Sequence, residues 1–260
     1  MISIIGYGNL SKSFITGLRN GNYSGDITVY DPYVTKKLHK KITLKRKLDD
    51  DILKCKLIFL GVKPNKFKDI AKSLQNVTKN TILVSLMAGI SIKKLRELTH
   101  ISRIARVMTN INCAHGKAQS FVFFNSNCEP KDKKQLIKIF DDVGKTYVVS
   151  SERKIDIVTG LTGSGPAYVL YILEIICSIF EKQGFNKKMS RDLSIELFDG
   201  TINTCKNDER SLEVIKKSIV SKKGTTESAL RSMKKDGLQK ILNKAVSSAI
   251  KKAGKICLLY

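Results

Sequence analysis

The chain has 260 residues, 42% of them hydrophobic, and its 47 basic and 23 acidic residues give a formal net charge of +24. This length and apolar content suffice to bury a sizeable core, which excludes an intrinsically disordered protein. Because the lysines are scattered through every segment, the charge favours a basic surface that attracts small anions over a nucleic-acid groove.

The cysteines form no C-x-x-C pair and have no zinc-type spacing with a histidine, so we expect reduced, mostly buried thiols and no metal. They are Cys55, Cys113, Cys128, Cys177, Cys205 and Cys257. The N-terminus lacks the charged region of a signal peptide, and the longest apolar run, Pro166 to Phe180, contains Glu174 and is short for a bilayer. We therefore expect a soluble cytoplasmic protein with no membrane or nucleic-acid partner.

The first 31 residues have the pattern of a dinucleotide-binding unit. A short apolar strand precedes Gly6, Gly8 and Ser11, a helical stretch follows, and a second strand ends at Asp31, 20 residues after Ser11. The first glycine permits a tight turn, the second lets the backbone approach a pyrophosphate, and a small third residue lets helix and strand pack closely. Amides at the helix start, including those of Asn9 and Leu10, would hold the phosphates. The alternative is a tight turn without a ligand.

Further strands are predicted at residues 57–62, 81–86, 103–108 and 120–124, alternating with polar helical stretches. This alternation predicts an α/β Rossmann-type domain with a doubly wound parallel sheet over residues 1–152. From residue 153 to 260 the apolar residues recur at helical spacing, with turn or cap signals at Gly184, Asn207, Gly224 and Gly237. These residues are expected to form an all-α domain.

The segment TGLTGSGPAY, residues 159–168, leads into an almost wholly apolar helix. Pro166 suits the first helical turn and Ser164 suits the cap before it. A helix that is apolar nearly all round must be buried on several sides, which a small helical domain rarely achieves alone. We therefore expect a homodimer or a higher oligomer.

Several motifs along nearly the whole chain resemble those of the pyrroline-5-carboxylate reductases, the enzymes of the last step of proline synthesis. They are IIGYGNL (4–10), GVKP (61–64), SLMAGI (85–90), RVMTNIN (106–112), TGLTGSGPAY (159–168) and SKKGTTESAL (221–230). The GSGPAY and GTT segments are quite specific to this family, whereas the glycine loop is not. The resemblance implies a Rossmann domain, a helical dimerisation domain, and active sites between the two domains.

The resemblance also assigns roles to individual residues. The amides of Gly224, Thr225 and Thr226 would bind the carboxylate of a cyclic imino acid, and the Thr226 hydroxyl would face the imine nitrogen as the catalytic group. Val62, Lys63 and Pro64 would line the nicotinamide ribose side, and Asn110 would support the cofactor pocket. These residues join Gly6, Gly8, Asn9, Leu10 and Asp31 as cofactor-binding candidates. Reduction of an iminium needs no metal, and the expected cofactor is NADH or NADPH.

The chain departs from the family pattern at four positions. Thr109 and Asn112 stand where the family usually has prolines, which would loosen a loop by about 0.5–1 kcal/mol each through chain entropy. Lys222 and Lys223 replace a proline and a glycine before the GTT segment, and a lysine at 223 is strained if that position needs a positive φ. These departures leave open whether activity is reduced or altered.

Other functions remain open from the sequence. A β-hydroxyacid dehydrogenase would carry a catalytic lysine on the first long helix of the second domain, and PAYVLYILEIICSIF has none. A diverged, non-catalytic paralogue would keep the fold and dimer as a binding or regulatory module, and the two lysines at 222 and 223 favour it. A reductase of a related cyclic imine is a further alternative, and a nucleic-acid binder a distant one.

Residues near the end of the second strand give opposite indications about the choice between NADH and NADPH. An acid at the end of the second strand hydrogen-bonds the adenosine ribose 2′-OH and repels a 2′-phosphate, so Asp31 favours NADH. The family often prefers NADPH, and Lys36 and Lys37 follow closely enough to neutralise such a phosphate. We expect a slight preference for NADH.

Overall fold

A computed structural model describes residues 1–34 and 41–256, so Lys36, Lys37 and Cys257 lie outside the described residues. The chain divides into two compact units. The first is Met1–Pro166 with the segment from Ser247 onward, and the second is Ala167–Val246. The predicted domain boundary after residue 152 stays a prediction.

Within the described residues, one sheet of eight strands forms the centre of the first unit, in the order β3-β2-β1-β4-β5-β6-β7-β8. The strands are β1 Ile2–Ile5, β2 Ile27–Tyr30, β3 Ile42–Lys45, β4 Leu57–Leu60, β5 Ile82–Ser85, β6 Arg103–Met108, β7 Ala118–Phe124 and β8 Gly144–Val148. Strand order reverses between β1 and β4, which is where open α/β sheets bind their ligands.

Helices cover both faces of this sheet. They are α1 Asn9–Asn20, α2 Asp50–Leu53, α3 Phe67–Ala71, α4 Ile92–Thr99, α5 Pro130–Asp141 and α6 Glu152–Val158. Consecutive residues of β1 show the two layers, because Ile4 packs in one apolar cluster with α1 and α5, while Ile5 packs in another with α2, α3 and α4. Burial on both faces explains why the central strands read as continuous apolar runs. The Rossmann-type α/β fold predicted from the sequence is confirmed.

The prediction of a wholly parallel sheet is wrong at β7, which pairs antiparallel with β6. The connection between them spans only residues 109–117, shorter than the dozen or so residues that a parallel crossover needs. The sequence reading also missed β3 and β8. Both are half-exposed strands at the ends of the sheet order, so they lack the apolar run that marks the central strands.

A buried arginine joins the sheet to α6. Arg106 on β6 is 2% exposed. Its Nη1 donates to Glu152 Oε1 at 2.9 Å and its Nη2 donates to Asp156 Oδ1 at 2.8 Å. Glu152 Oε1 also accepts from the backbone N–H of Ile92 at 2.7 Å. One cluster of charged hydrogen bonds therefore ties β6, the start of α4 and α6 together.

The second unit is helical, as predicted. The helices that form it or run into it are α7 Gly165–Lys182, α8 Lys187–Asn207, α9 Leu212–Ser218, α10 Thr225–Lys235 and α11 Leu238–Ile256. The predicted turn signals are confirmed, because Gly184 and Gly237 adopt positive φ between helices, Asn207 ends α8, and Gly224 caps α10.

The helical segment Glu152–Lys182 is 31 residues long and, by length and composition only, meets the requirements for a membrane span. This segment is longer than the apolar run Pro166 to Phe180 noted in the sequence, because the helical structure begins on the N-terminal side of Pro166. Core helices of soluble proteins pass the same test. None of the α7 side chains is buried within the chain, so this helix needs a covering partner of some kind.

The described cysteines are free thiols, as predicted. Cys55, Cys113 and Cys128 are buried, whereas Cys177 and Cys205 are partly exposed. Burial is the main cause that raises the pKa of the Cys128 thiol to about 11. The described residues contain no group of three or more histidine, cysteine, aspartate or glutamate residues placed to hold a metal ion.

Candidate functional site

A cleft of about 500 Å³ opens at the carboxyl ends of β1, β2 and β4, at the point where the strand order reverses. Five of the predicted cofactor residues line it, namely Gly6, Gly8, Asp31, Val62 and Lys63. Asn9 and Leu10 begin α1 beside it, and Pro64 begins the 3₁₀ turn Pro64–Lys66. The structure therefore brings together most of the residues predicted to bind the dinucleotide.

The glycine loop fits a pyrophosphate. Gly6 has φ +96°, and a Cβ there would lie 2.8 Å from the carbonyl oxygen of Gly61, so only glycine is accommodated without strain. A Cβ added at Gly8 would meet no atom within 4 Å, which leaves open space over the first turn of α1. The first amides of an α-helix have no intrahelical acceptor, and the helix dipole favours an anion there.

Asp31, which follows β2, accepts two backbone hydrogen bonds. Its Oδ2 accepts from the backbone N–H of Tyr7 at 2.8 Å, and its Oδ1 accepts from that of Tyr33 at 2.9 Å. The carboxylate thus links the glycine loop to the turn after β2, and each oxygen keeps lone-pair capacity for a ribose hydroxyl. Burial raises the pKa of the Tyr7 and Tyr30 phenols, so both stay neutral near pH 7.

Asn110 lies at the end of β6 and does not line the described cleft. Its Oδ1 accepts from Asn112 N at 3.0 Å, and its Nδ2 donates to the carbonyl of Thr162 at 3.0 Å. A proline at 112 would lack the N–H that makes the first of these bonds. The amide therefore ties the 3₁₀ turn Ile111–His115 to the TGLTG segment, residues 159–163.

Thr109 compensates for the missing proline at its position. It is buried, and its hydroxyl lies 2.9 Å from Ser120 Oγ and 3.1 Å from Cys113 Sγ. The loosening expected from the sequence took account of chain entropy alone. The structure adds hydrogen bonds that hold this turn in place.

The TGLTG segment forms a π-helical turn, Thr159–Gly163, between α6 and α7. Pro166 lies in the first turn of α7, as predicted, and Ser164 directly precedes this helix, so its predicted role as a cap stays a prediction. Ser164 has helical backbone angles, and its hydroxyl donates to the Thr159 carbonyl at 3.2 Å, so it closes the π turn. Such turns occur frequently at functional sites.

The predicted substrate residues lie in the second unit, at the start of α10. Gly224 is the N-cap, Thr225 is exposed, and Thr226 is half-buried in the first turn. A Cβ at Gly224 would meet Ser221 Oγ, which can rotate away, and would lie 3.1 Å from the Ser221 carbonyl oxygen, so the turn leaves little room there. Glu227 caps the turn from the other side by accepting from the backbone N–H of Lys223.

Lys223 has φ +63°, the left-handed conformation that glycine adopts at lower cost. We expect Lys223→Gly to raise the free energy of unfolding by about 1 kcal/mol, because it removes this strain. Denaturant unfolding would measure the change, with Lys222→Gly as the neighbouring control that has ordinary backbone angles. A destabilised Lys223→Gly protein would contradict the strain at this position.

Sequence reasoning missed two features of the first unit. Tyr7 and Tyr33 line the cleft, but tyrosines near a glycine loop carry no motif. Arg106 was part of a quoted motif, yet its burial and its partners 46 and 50 residues away have no local signal.

Comparison with known proteins covers both parts of the chain. The family described as pyrroline-5-carboxylate reductase dimerisation matches residues 152–256, and that described as NADP oxidoreductase, coenzyme F420-dependent, matches residues 1–89. Pyrroline-5-carboxylate reductase of Staphylococcus epidermidis is 26% identical across 95% of this chain and 94% of its own. That of Staphylococcus aureus is 28% identical across 94% and 93%.

Solved structures similar to this chain include enzymes of the same kind. Pyrroline carboxylate reductase of Plasmodium falciparum, crystallised with NADP bound, superposes with a TM-score of 0.90 at 25% identity, covering 98% of this chain and 97% of its own. The Coxiella burnetii pyrroline-5-carboxylate reductase gives a TM-score of 0.83 at 25% identity, with the same coverage. This chain, with the glycine-loop cleft in one unit and the GTT helix start in the other, is therefore similar to pyrroline-5-carboxylate reductases over nearly its whole length and matches their dimerisation family over residues 152–256.

Proposed function

We propose that the protein is an NAD(P)H-dependent oxidoreductase that reduces 1-pyrroline-5-carboxylate to L-proline, the last step of proline biosynthesis. The observation that carries this proposal is the similarity to pyrroline-5-carboxylate reductases across 94–95% of the chain, because it includes both the dinucleotide cleft and the GTT segment. A fold alone would not support an activity, whereas two matched functional segments do.

The cleft of the first unit fits the dinucleotide. We propose that the amides at the start of α1, after Gly8, bind the pyrophosphate and that Asp31 binds the adenosine ribose. Val62, Lys63 and Pro64 would line the nicotinamide ribose side. Asn110 would act indirectly, because its side-chain amide is bonded to the Thr162 carbonyl and to Asn112 N.

The start of α10 supplies the groups for the substrate. The amides of Gly224, Thr225 and Thr226 would bind the carboxylate, since a helix N-terminus favours an anion. The Thr226 hydroxyl would hydrogen-bond the imine nitrogen while that nitrogen gains electron density. A bound NAD(P)H supplies the hydride that reduces the imine carbon. The iminium is itself electrophilic, so the protein needs only to bind, orient and shield it from water.

A rate assay tests this function against its alternatives. Oxidation of NADH and NADPH is followed with 1-pyrroline-5-carboxylate, with 1-pyrroline-2-carboxylate, and without substrate. The proposal expects the highest kcat/KM with the 5-carboxylate. A preference for the 2-carboxylate would indicate a reductase of a related cyclic imine, and no turnover with any substrate would indicate a non-catalytic paralogue.

We predict that Asp31→Asn lowers the ratio of kcat/KM for NADH to that for NADPH by roughly tenfold, because a negative charge no longer repels the 2′-phosphate. Asparagine keeps an acceptor oxygen for one of the two amides that Asp31 binds. Asp31→Ser is the harsher variant, and Asp26→Asn controls for a general loss of charge. An unchanged ratio in both Asp31 variants would mean that Asp31 does not select the cofactor.

We propose that the protein works in the cytoplasm as a homodimer or a larger assembly of dimers. Six large apolar side chains of α7 are between 37% and 65% exposed within one chain, namely Val169, Leu170, Tyr171, Ile172, Ile175 and Ile179. Exposed apolar surface of this extent marks an interface. A second copy of the same helical unit would bury it.

We predict that the protein sediments as a dimer or larger species down to nanomolar concentration, because an obligate interface buries on the order of 2,000 Å² or more. Ile175→Glu is expected to break the assembly and expose α7, whereas Lys182→Glu at the end of the same helix is the milder control. A folded, stable wild-type monomer at nanomolar concentration would contradict the prediction.

A further inference from the structure

The dinucleotide cleft is lined by an aromatic side chain, Tyr33, that belongs to no cofactor-binding motif. Tyr33 lines the cleft, yet it is 83% exposed, an unusual degree for a large aromatic side chain. Val62 and Ile70 line the same cleft and add apolar surface. A flat apolar ligand group beside Tyr33 would therefore be taken out of water on entering the cleft.

The backbone of Tyr33 is held in place. Its N–H donates to Asp31 Oδ1 at 2.9 Å, and Pro32 between them has a fixed φ. The other oxygen of Asp31 accepts from Tyr7 N in the glycine loop, so the turn after β2 and the pyrophosphate loop are positioned together. An aromatic ring on a fixed backbone loses little conformational entropy when a ligand packs on it.

The location specifies which end of the dinucleotide reaches Tyr33. In this type of fold the acid at the end of the second strand binds the adenosine ribose, and the glycine loop binds the pyrophosphate. Tyr33 follows Asp31 by two residues, and its N–H donates to the carboxylate that is proposed to bind this ribose. The neighbouring ligand group is the adenine base.

We infer that Tyr33 is a cofactor-binding residue whose ring stacks on the adenine of the bound dinucleotide. This inference rests on the cofactor site of the proposed function, but not on the substrate. Base–aromatic stacking tolerates either nicotinamide cofactor, because the 2′-phosphate lies on the ribose. Tyr33 should therefore set affinity for the adenosine half without setting the choice between NADH and NADPH.

Calorimetric titration with ADP-ribose tests the inference, since this probe carries adenine and pyrophosphate but cannot be reduced. Tyr33→Phe keeps the ring, Tyr33→Leu keeps apolar bulk, and Tyr33→Ala removes both. Stacking predicts that the phenylalanine variant binds within about twofold of wild type and that the leucine and alanine variants bind roughly tenfold more weakly. Thermal unfolding confirms that each variant is folded, which the exposure of Tyr33 favours.

Three results would overturn the inference: wild-type affinity in Tyr33→Ala, equal affinity of Tyr33→Leu and Tyr33→Phe, or no binding of ADP-ribose to the wild type. A changed NADH to NADPH preference in Tyr33→Ala would also count against it. If ADP-ribose binds as predicted while no pyrroline carboxylate is reduced, the proposed function fails and the stacking role of Tyr33 stands.

Discussion

Thr226→Ala is expected to lower kcat/KM for 1-pyrroline-5-carboxylate roughly 30- to 1,000-fold. This factor corresponds to a loss of about 2–4 kcal/mol of transition-state stabilisation. The hydroxyl is proposed to bond the imine nitrogen as electron density shifts onto it, so its loss should lower kcat as well as kcat/KM. Thr226 lies half-buried in the first turn of α10, where a helical backbone fixes its position.

Two sets of variants distinguish the chemical role of the Thr226 hydroxyl from the effect of the positive charges of Lys222 and Lys223. Thr226→Ser retains the hydroxyl and should recover most of the activity, whereas Thr225→Ala removes an exposed neighbour on the same turn. Lys222→Ala and Lys223→Ala should mainly raise KM, and more so at low salt, because exposed charges act through a screened field. If Thr226→Ala kept full activity and the lysine variants abolished kcat, the lysines would be the chemical groups instead.

Arg106→Leu is expected to lower the free energy of unfolding by about 2–3 kcal/mol, because two charged hydrogen bonds are lost while the carboxylates, 30% and 26% exposed, remain partly solvated. The arginine is 2% exposed and contacts carboxylates of Glu152 and Asp156, which would lose their shared counter-charge. Its loss should also loosen α6, the helix that leads into the π turn before α7.

Urea unfolding measures the effect, with Arg96→Leu as a control on an exposed arginine that should change stability little. A triple variant with Arg106→Leu, Glu152→Gln and Asp156→Asn removes the unpaired charges and should recover part of the loss. Equal stability of Arg106→Leu and Arg96→Leu would show that the buried cluster does not hold α6 to the sheet.

Parts of this structure follow directly from local sequence signals. The central strands, the glycine loop and Asp31 were predictable because buried parallel strands are continuous apolar runs and the loop has a fixed spacing. The turns at Gly184 and Gly237 were predictable because glycine readily adopts the positive φ that other residues adopt at a cost.

Other features depend on partners far along the chain. The edge strands Ile42–Lys45 and Gly144–Val148 have no apolar run, and their pairing depends on a neighbouring strand. The hydrogen bond from Asn110 to the carbonyl of Thr162, in the π turn, joins positions 52 residues apart. The hydrogen bonds of Thr109 likewise could not be inferred from the absence of a proline, since they depend on the position of Ser120.

The central claim is that this chain converts a cyclic imino acid to proline with a nicotinamide cofactor. It is tested most directly by measuring L-proline formed per NADH or NADPH oxidised, with wild-type protein and the folded Thr226→Ala variant in parallel. The account predicts one L-proline for each cofactor oxidised by the wild type, and a rate at least about 30-fold lower for the variant. Cofactor oxidation without L-proline, or equal rates for the two proteins, would contradict it.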